Sequence, residues 1–167
     1  NIGVWGTGDH SCIRDNHFLG TTAKGILFSV NDNAIISGNS LVDATNTPWQ
    51  GAITIMANSA DAKGILIYGN SIVFETNRAA TVNGILLTCE STTAYGTIDC
   101  IISNNTINGN SVDNIGTGIY THGKYVISEP TDNVNGIVIT GNIISNMAQG
   151  IVNAYTRNTI VSNNRIT

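Results

Sequence analysis

Charge is scarce in this chain of 167 residues. Asp, Glu, Lys and Arg make up 11% of it, less than half of the roughly 25% usual in globular proteins. Lys and Arg number seven, the net charge is −4, and no basic run exists. The electrostatic footprint of a nucleic-acid-binding protein is therefore missing. No apolar stretch approaches the roughly 18 residues of a membrane helix, so membrane insertion is not expected. Cysteines number three, an odd count that does not make a disulfide framework. No CxxC or His/Cys cluster has metal-ligand spacing, and neither a metal nor a cofactor is expected. Cys89 and Cys100 flank an eleven-step segment whose base they could bridge. The burial habit of free cysteine instead favours Cys12 and Cys100 as small core residues.

What fills the gap is Ile (25), Asn (23), Thr (20), Gly (18) and Ser (12). Ile and Thr favour strands, while Asn and Gly favour turns. No long stretch has a helical period, which argues against a helical bundle or a Rossmann fold. Two short patterns alternate instead. The first is glycine before an aliphatic: Gly3-Val4, Gly25-Ile26, Gly51-Ala52, Gly84-Ile85, Gly118-Ile119 and Gly150-Ile151. The second is an Ile-rich strand leading to Asn16, Asn39, Asn70, Asn105, Asn142 or Asn164, with an apolar residue two positions on.

The Asn anchors are spaced 23, 31, 35, 37 and 22 residues apart. A minimal unit of about 22 residues, holding two or three short strands, is thus repeated with insertions. Such a unit cannot bury its apolar face alone, but stacked copies can. The residues before and after the anchors stack accordingly: Cys12, Ile35, Leu66, Ile101, Val138 and Ile160, then Ile13, Ile36, Ile67, Ile102, Ile139 and Val161, then Phe18, Leu41, Ile72, Ile107, Ile144 and Ile166. The Asn column is expected to form an amide ladder at a corner, with Asn tolerating the left-handed backbone a sharp corner needs.

These motifs, from Gly3 to Ile166, resemble the right-handed parallel β-helix of pectate-lyase-like proteins, a group that includes phage tailspikes. The expected fold is all-β, about six coils in a single domain over residues 1–167. A coil motif at each end, with no capping helix, suggests a slice of a longer solenoid. The resemblance implies a tailspike or tail-fibre β-helix domain that recognises bacterial surface polysaccharide, as a homotrimer, in a virion tail or outside the cell. An active polysaccharide hydrolase or lyase is the first alternative, and a structural adhesin or ice-binding solenoid the second. Ice binding predicts a regular Thr array, and the threonines here are scattered. The acid-bearing motifs of polygalacturonases are missing; the nearest fragments are Thr121-His122-Gly123 and Arg165-Ile166-Thr167. Val4-Trp5 and Asp9-His10 stand too far apart for the Val-Trp-x-Asp-His segment of pectate lyases.

Departures from the repeat locate candidate sites, because loops on a rigid scaffold carry binding. Extra residues fall in the middle coils, longest at 57–63, 90–99 and 123–134. Counting six and seven residues past each glycine anchor brings ionisable groups together, among them Asp32, Glu90, Lys124, Tyr125 and Arg157. Sugar-cleaving enzymes need two carboxylates at a set separation, which makes Asp32 and Glu90 the candidate pair, with His122 in support. Ordinary polar corners would use the same residue types. Trp49, Tyr125, Lys124, Glu129 and Arg157 are the candidate substrate-binding residues, Trp49 being the best placed to stack on a sugar. Two residues past each glycine anchor come Trp5, Leu27, Ile53, Leu86, Tyr120 and Val152, an apolar column where alternation expects polar side chains. Facing outward, it would serve trimer packing.

Overall fold

The structure, a computed structural model, describes residues 2–20, 24–29, 32–44, 50–57, 60–75, 82–89, 95–109, 116–123 and 134–167. Trp49, Glu90, Lys124, Tyr125 and Glu129 lie outside them.

The chain winds as a right-handed parallel β-helix of six coils. The first coil holds β1 (Ile2–Gly6), β2 (Cys12–Arg14) and β3 (His17–Leu19). The second holds β4 (Lys24–Ser29), β5 (Ile35–Ser37) and β6 (Ser40–Val42). The third holds β7 (Gly51–Ala57), β8 (Ala62–Lys63), β9 (Leu66–Tyr68) and β10 (Ser71–Val73). The fourth holds β11 (Asn83–Cys89), β12 (Thr97–Ile98), β13 (Ile101–Ser103) and β14 (Thr106–Asn108). The fifth holds β15 (Thr117–His122), β16 (Val134–Asn135), β17 (Val138–Thr140) and β18 (Ile143–Ser145). The sixth holds β19 (Gln149–Ala154), β20 (Thr156–Arg157), β21 (Ile160–Ser162) and β22 (Arg165–Ile166).

Each strand pairs in parallel with its counterpart one coil on. The first sheet is β1-β4-β7-β11-β15-β19, the second β2-β5-β9-β13-β17-β21, and the third β3-β6-β10-β14-β18-β22. A short fourth sheet, β8-β12-β16-β20, begins in the third coil. Among the described residues no helix is long and apolar enough to cross a membrane.

Period-two alternation explains the interior. Ile26, Ile53, Ile85 and Ile119 from the first sheet are fully buried, as are Ile36, Ile67, Ile102 and Ile139 from the second, and Leu41, Ile72, Ile107 and Ile144 from the third. They form one continuous cluster. Burying a side chain of this size contributes about 1.5–3 kcal/mol. Stacking like on like suits branched residues, because each rung repeats the shape of the one below.

The corners divide the labour of the Asn motif. The left-handed residue is the one before each anchor: Asp15, Gly38, Gly69, Asn104, Gly141 and Asn163, with φ between 53° and 67°. Asx and Gly are the residues that accept this conformation most readily. The anchors themselves are free to form the ladder, rather than supplying the left-handed turn. From Asn39 onward, the Oδ1 of each accepts the backbone N–H and the Nδ2 of the anchor one coil earlier, as Asn70 does for Asn39 at 3.0 Å in both bonds. At Gly38 a side chain would also collide with the Asp15 carboxyl, which leans across from the preceding coil.

Candidate functional site

The outer face of the first sheet carries a groove of about 340 Å³. Alternation sends Ile26, Ile53, Ile85 and Ile119 inward, so the next residue in each strand faces out. The register Leu27–Thr54–Leu86–Tyr120–Val152 defines one outer column. Two positions further on, Ser29–Met56–Thr88–His122–Ala154 defines the second. The groove is walled by Thr54, Leu86 and Tyr120 of the first column, by Met56, Thr88 and His122 of the second, and by Gln50. All come from the third, fourth and fifth coils, where the chain is lengthened.

Its far end is aromatic. The rings of Tyr120 and His122 lie 5.5 Å apart, tilted by 49°, and His122 meets Tyr155 edge-on at 5.8 Å. Tyr155 occupies a left-handed corner (φ 55°) directly after β19. Burial holds the His122 imidazole below its ordinary pKa, because a less solvated site disfavours the charged form. Burial, and secondarily Tyr155, raises the Tyr120 phenol. At neutral pH both groups are uncharged, with His122 offering one donor and one acceptor. Among the described residues no carboxylate lines the groove.

Of the expected acid pair, Glu90 lies outside the described residues. Asp32 occupies a different corner, in a parallel bridge with Lys63. Its Oδ1 accepts the Lys63 backbone N–H at 3.1 Å. This is a turn-stabilising role. The column of Asp32 continues through Lys63, Ile98, Asn135 and Arg157, whereas His122 stands in the column of Thr88. Asp32 and His122 also lie three coils apart. Arg157 shares the Asp32 column but belongs to the sixth coil. Counting residues from the glycine anchor does align Arg157 with Asp32, but it misses Lys63, which bridges Asp32, because the chain between the first and fourth sheets varies in length: Ala57 to Ala62, Cys89 to Thr97, His122 to Val134, Ala154 to Thr156. Lys63 is further tied to Asp61 by a 3.0 Å ion pair.

The expected outward apolar column needs two corrections. Ile53 is wholly buried and pairs with Ile26 and Ile85 in the interior. In the third coil it is Ala52, not Gly51, that takes the glycine slot, and a shift of one residue moves a strand side chain to the other face. Thr54 holds the outward position. Leu27 and Leu86 do face away from the core, yet both are buried, 5% and 6% exposed, without belonging to the interior cluster. The protein's own chain shields the middle of that column, leaving Trp5 exposed at one end and Tyr120 and Val152 half-buried at the other.

Sequence reasoning placed His122 at a site and Tyr120 in an outer column, but missed Gln50, Met56 and Thr88. Of these, Thr88 stood two positions beyond Leu86 of the column it singled out. All three cysteines are thiols, and Cys100, which is buried, has its pKa pushed up to about 12 by desolvation. Cys12, placed with the core in the sequence reading, is exposed. Among the described residues no group of three His, Cys, Asp or Glu side chains is arranged to hold a metal. No protein-family model, curated protein or solved structure matches the chain.

Proposed function

We propose that this chain is a polysaccharide-binding β-helix of the pectate-lyase-like kind, a tailspike or tail-fibre segment that holds a bacterial surface glycan against the outer face of its first sheet. The observation that carries this reading is the groove ending in Tyr120, His122 and Tyr155. A sugar presents apolar C–H faces and a rim of hydroxyls. Aromatic rings pack on the former, and groups such as Gln50, Thr88 and neutral His122 can exchange hydrogen bonds with the latter. Concave, mostly apolar clefts with a few polar groups are the usual form of a small-ligand site.

Binding fits the groove better than cleavage. Glycoside hydrolysis uses two carboxylates flanking the bond, and the described lining has none. The deciding experiment incubates the chain with capsule and O-antigen preparations, measuring retention by affinity electrophoresis and products by mass spectrometry. Retention without cleavage, weakened tenfold or more by Tyr120→Ala, is the expected result. Products carrying added water, or an unsaturated sugar, would replace binding with hydrolase or lyase chemistry. Failure to retain any glycan would end the proposal.

A further inference from the structure

The second sheet has an outer face unlike the others. Five of its six three-residue strands bury the middle residue: Ile13, Ile36, Ile67, Ile102 and Ile139 all join the interior cluster, while Val161 in the last coil is 47% exposed. Alternation therefore turns both flanking residues outward. The leading flank is Cys12, Ile35, Leu66, Ile101, Val138 and Ile160, in register through every coil. Each is half-buried or exposed, with Ile101 at 42% and Ile160 at 59%, and none belongs to the interior cluster. The corresponding column of the third sheet is polar in five of its six positions: His17, Ser40, Ser71, Thr106 and Arg165, with Ile143 the exception. The outer column of the first sheet, Trp5–Leu27–Thr54–Leu86–Tyr120–Val152, is also largely apolar, but its middle is buried, so the ridge of the second sheet is the one whose apolar rungs are half-buried or exposed in every coil. Five inter-strand steps make it about 24 Å long.

We infer that this ridge is a self-association surface, packed in the assembled protein against the same ridge of a second copy. The trailing flank is Arg14, Ser37, Tyr68, Ser103, Thr140 and Ser162. Of twelve outward positions, Arg14 alone carries a charge, so a charged partner finds almost nothing to pair with. A second copy meets it with an equally uncharged surface and with the same 4.8 Å repeat, which lets the two rows of aliphatic side chains interdigitate rung by rung without burying a charge. The net charge of −4 opposes this only weakly. The ridge is narrow, and stable pairs bury about 800 Å² on each partner. The association is accordingly reversible and concentration-dependent. The groove lies on the first sheet and stays open when the ridge is covered.

Sedimentation velocity of the chain from about 10 μM to about 1 mM, a range that spans weak pairs, tests this. The sedimentation coefficient is expected to rise with concentration. Leu66→Lys combined with Ile101→Lys is expected to hold the protein monomeric, while Thr106→Lys on the third sheet associates as the parent does. Circular dichroism reports whether the variants are folded. A measurement needing no variant uses Cys12, the exposed thiol on the first rung, against the buried Cys89 and Cys100. Its alkylation is expected to slow several-fold at the higher concentration. A parent that stays monomeric throughout, association that survives the double substitution, equal loss with Thr106→Lys, or a Cys12 reaction rate independent of concentration would each overturn the inference.

Discussion

The side-chain amide of Asn70 donates to the Oδ1 of Asn105 at 2.9 Å, and the backbone N–H of Asn70 donates to the same oxygen at 3.0 Å. Asn105 Nδ2 in turn serves the Ile67 and Ser103 carbonyls and the next rung, Asn142. Both residues are almost wholly buried. Asn105→Ala therefore takes the side-chain acceptor from the Asn70 backbone N–H and a donor from the Ile67 carbonyl, both in the interior, while the Asn70 amide keeps the Ile36 and Tyr68 carbonyls and the Ser103 carbonyl keeps the Gly69 N–H. At about 1–3 kcal/mol for each buried group left without a partner, and with some relaxation, a loss of about 3–5 kcal/mol is expected. Asn164→Ala, on the half-buried last rung, should cost less. Urea titration of the two variants checks the order of their midpoints.

Gly123 sits against the next coil so closely that a Cβ there would overlap the carbonyl oxygen of Tyr155. Its own N–H donates to the Ala154 carbonyl at 2.8 Å. The methyl of Gly123→Ala has no flexible side chain to push aside, only backbone. Overpacking of this kind typically costs about 1–3 kcal/mol. Because Gly123 follows His122 and presses on Tyr155, the same change should spread the aromatic end of the groove. A lowered melting temperature together with weaker glycan retention is the expected pair of results. A variant unchanged in both would show that the fifth and sixth coils do not pack as tightly as described.

The fold was legible in the sequence because its period is carried by residues whose chemistry leaves little choice. Asn at six corners and branched aliphatics beside them fixed the stacks, and the structure places them in register. The site was less legible. Residue counting works only along unbroken strands, so it missed Lys63, the residue that bridges Asp32 from beyond a variable segment. The third coil misled for the same reason, since one residue separates Ile53 in the core from Thr54 in the groove. The ridge of Ile35, Leu66 and Ile101 was read as core stacking, although two adjacent apolar columns cannot both face inward along a strand.

That single-residue register makes its own prediction. Ile53 is fully buried among Ile26, Ile85 and their neighbours, while Val152 is half-buried on the outer face of the same sheet. Ile53→Ala should lose about 2–5 kcal/mol, the range for emptying a packed interior site. Val152→Ala removes less buried surface and should cost well under half as much. Equal midpoint shifts in denaturant would mean that Ile53 is outward after all.

His122 provides the pH dependence. Its pKa is lowered from 6.5 by burial, so the unfolded chain takes up a proton before the folded one does as pH falls. Between 6.5 and the lower folded value, the unfolded state binds more protons, and stability declines as pH drops through that window. Above it His122 is neutral in both states and contributes nothing to the slope. In the groove the consequence is sharper, because protonation turns the imidazole acceptor into a second donor and charges a site otherwise lined by neutral groups. Glycan retention is therefore expected to weaken as pH falls below 6.5, and His122→Gln, which stays neutral, to flatten that dependence. NMR titration of the His122 ring should give a midpoint below 6.5. A midpoint at or above that value, or a retention profile that His122→Gln leaves unchanged, would remove His122 from the binding site.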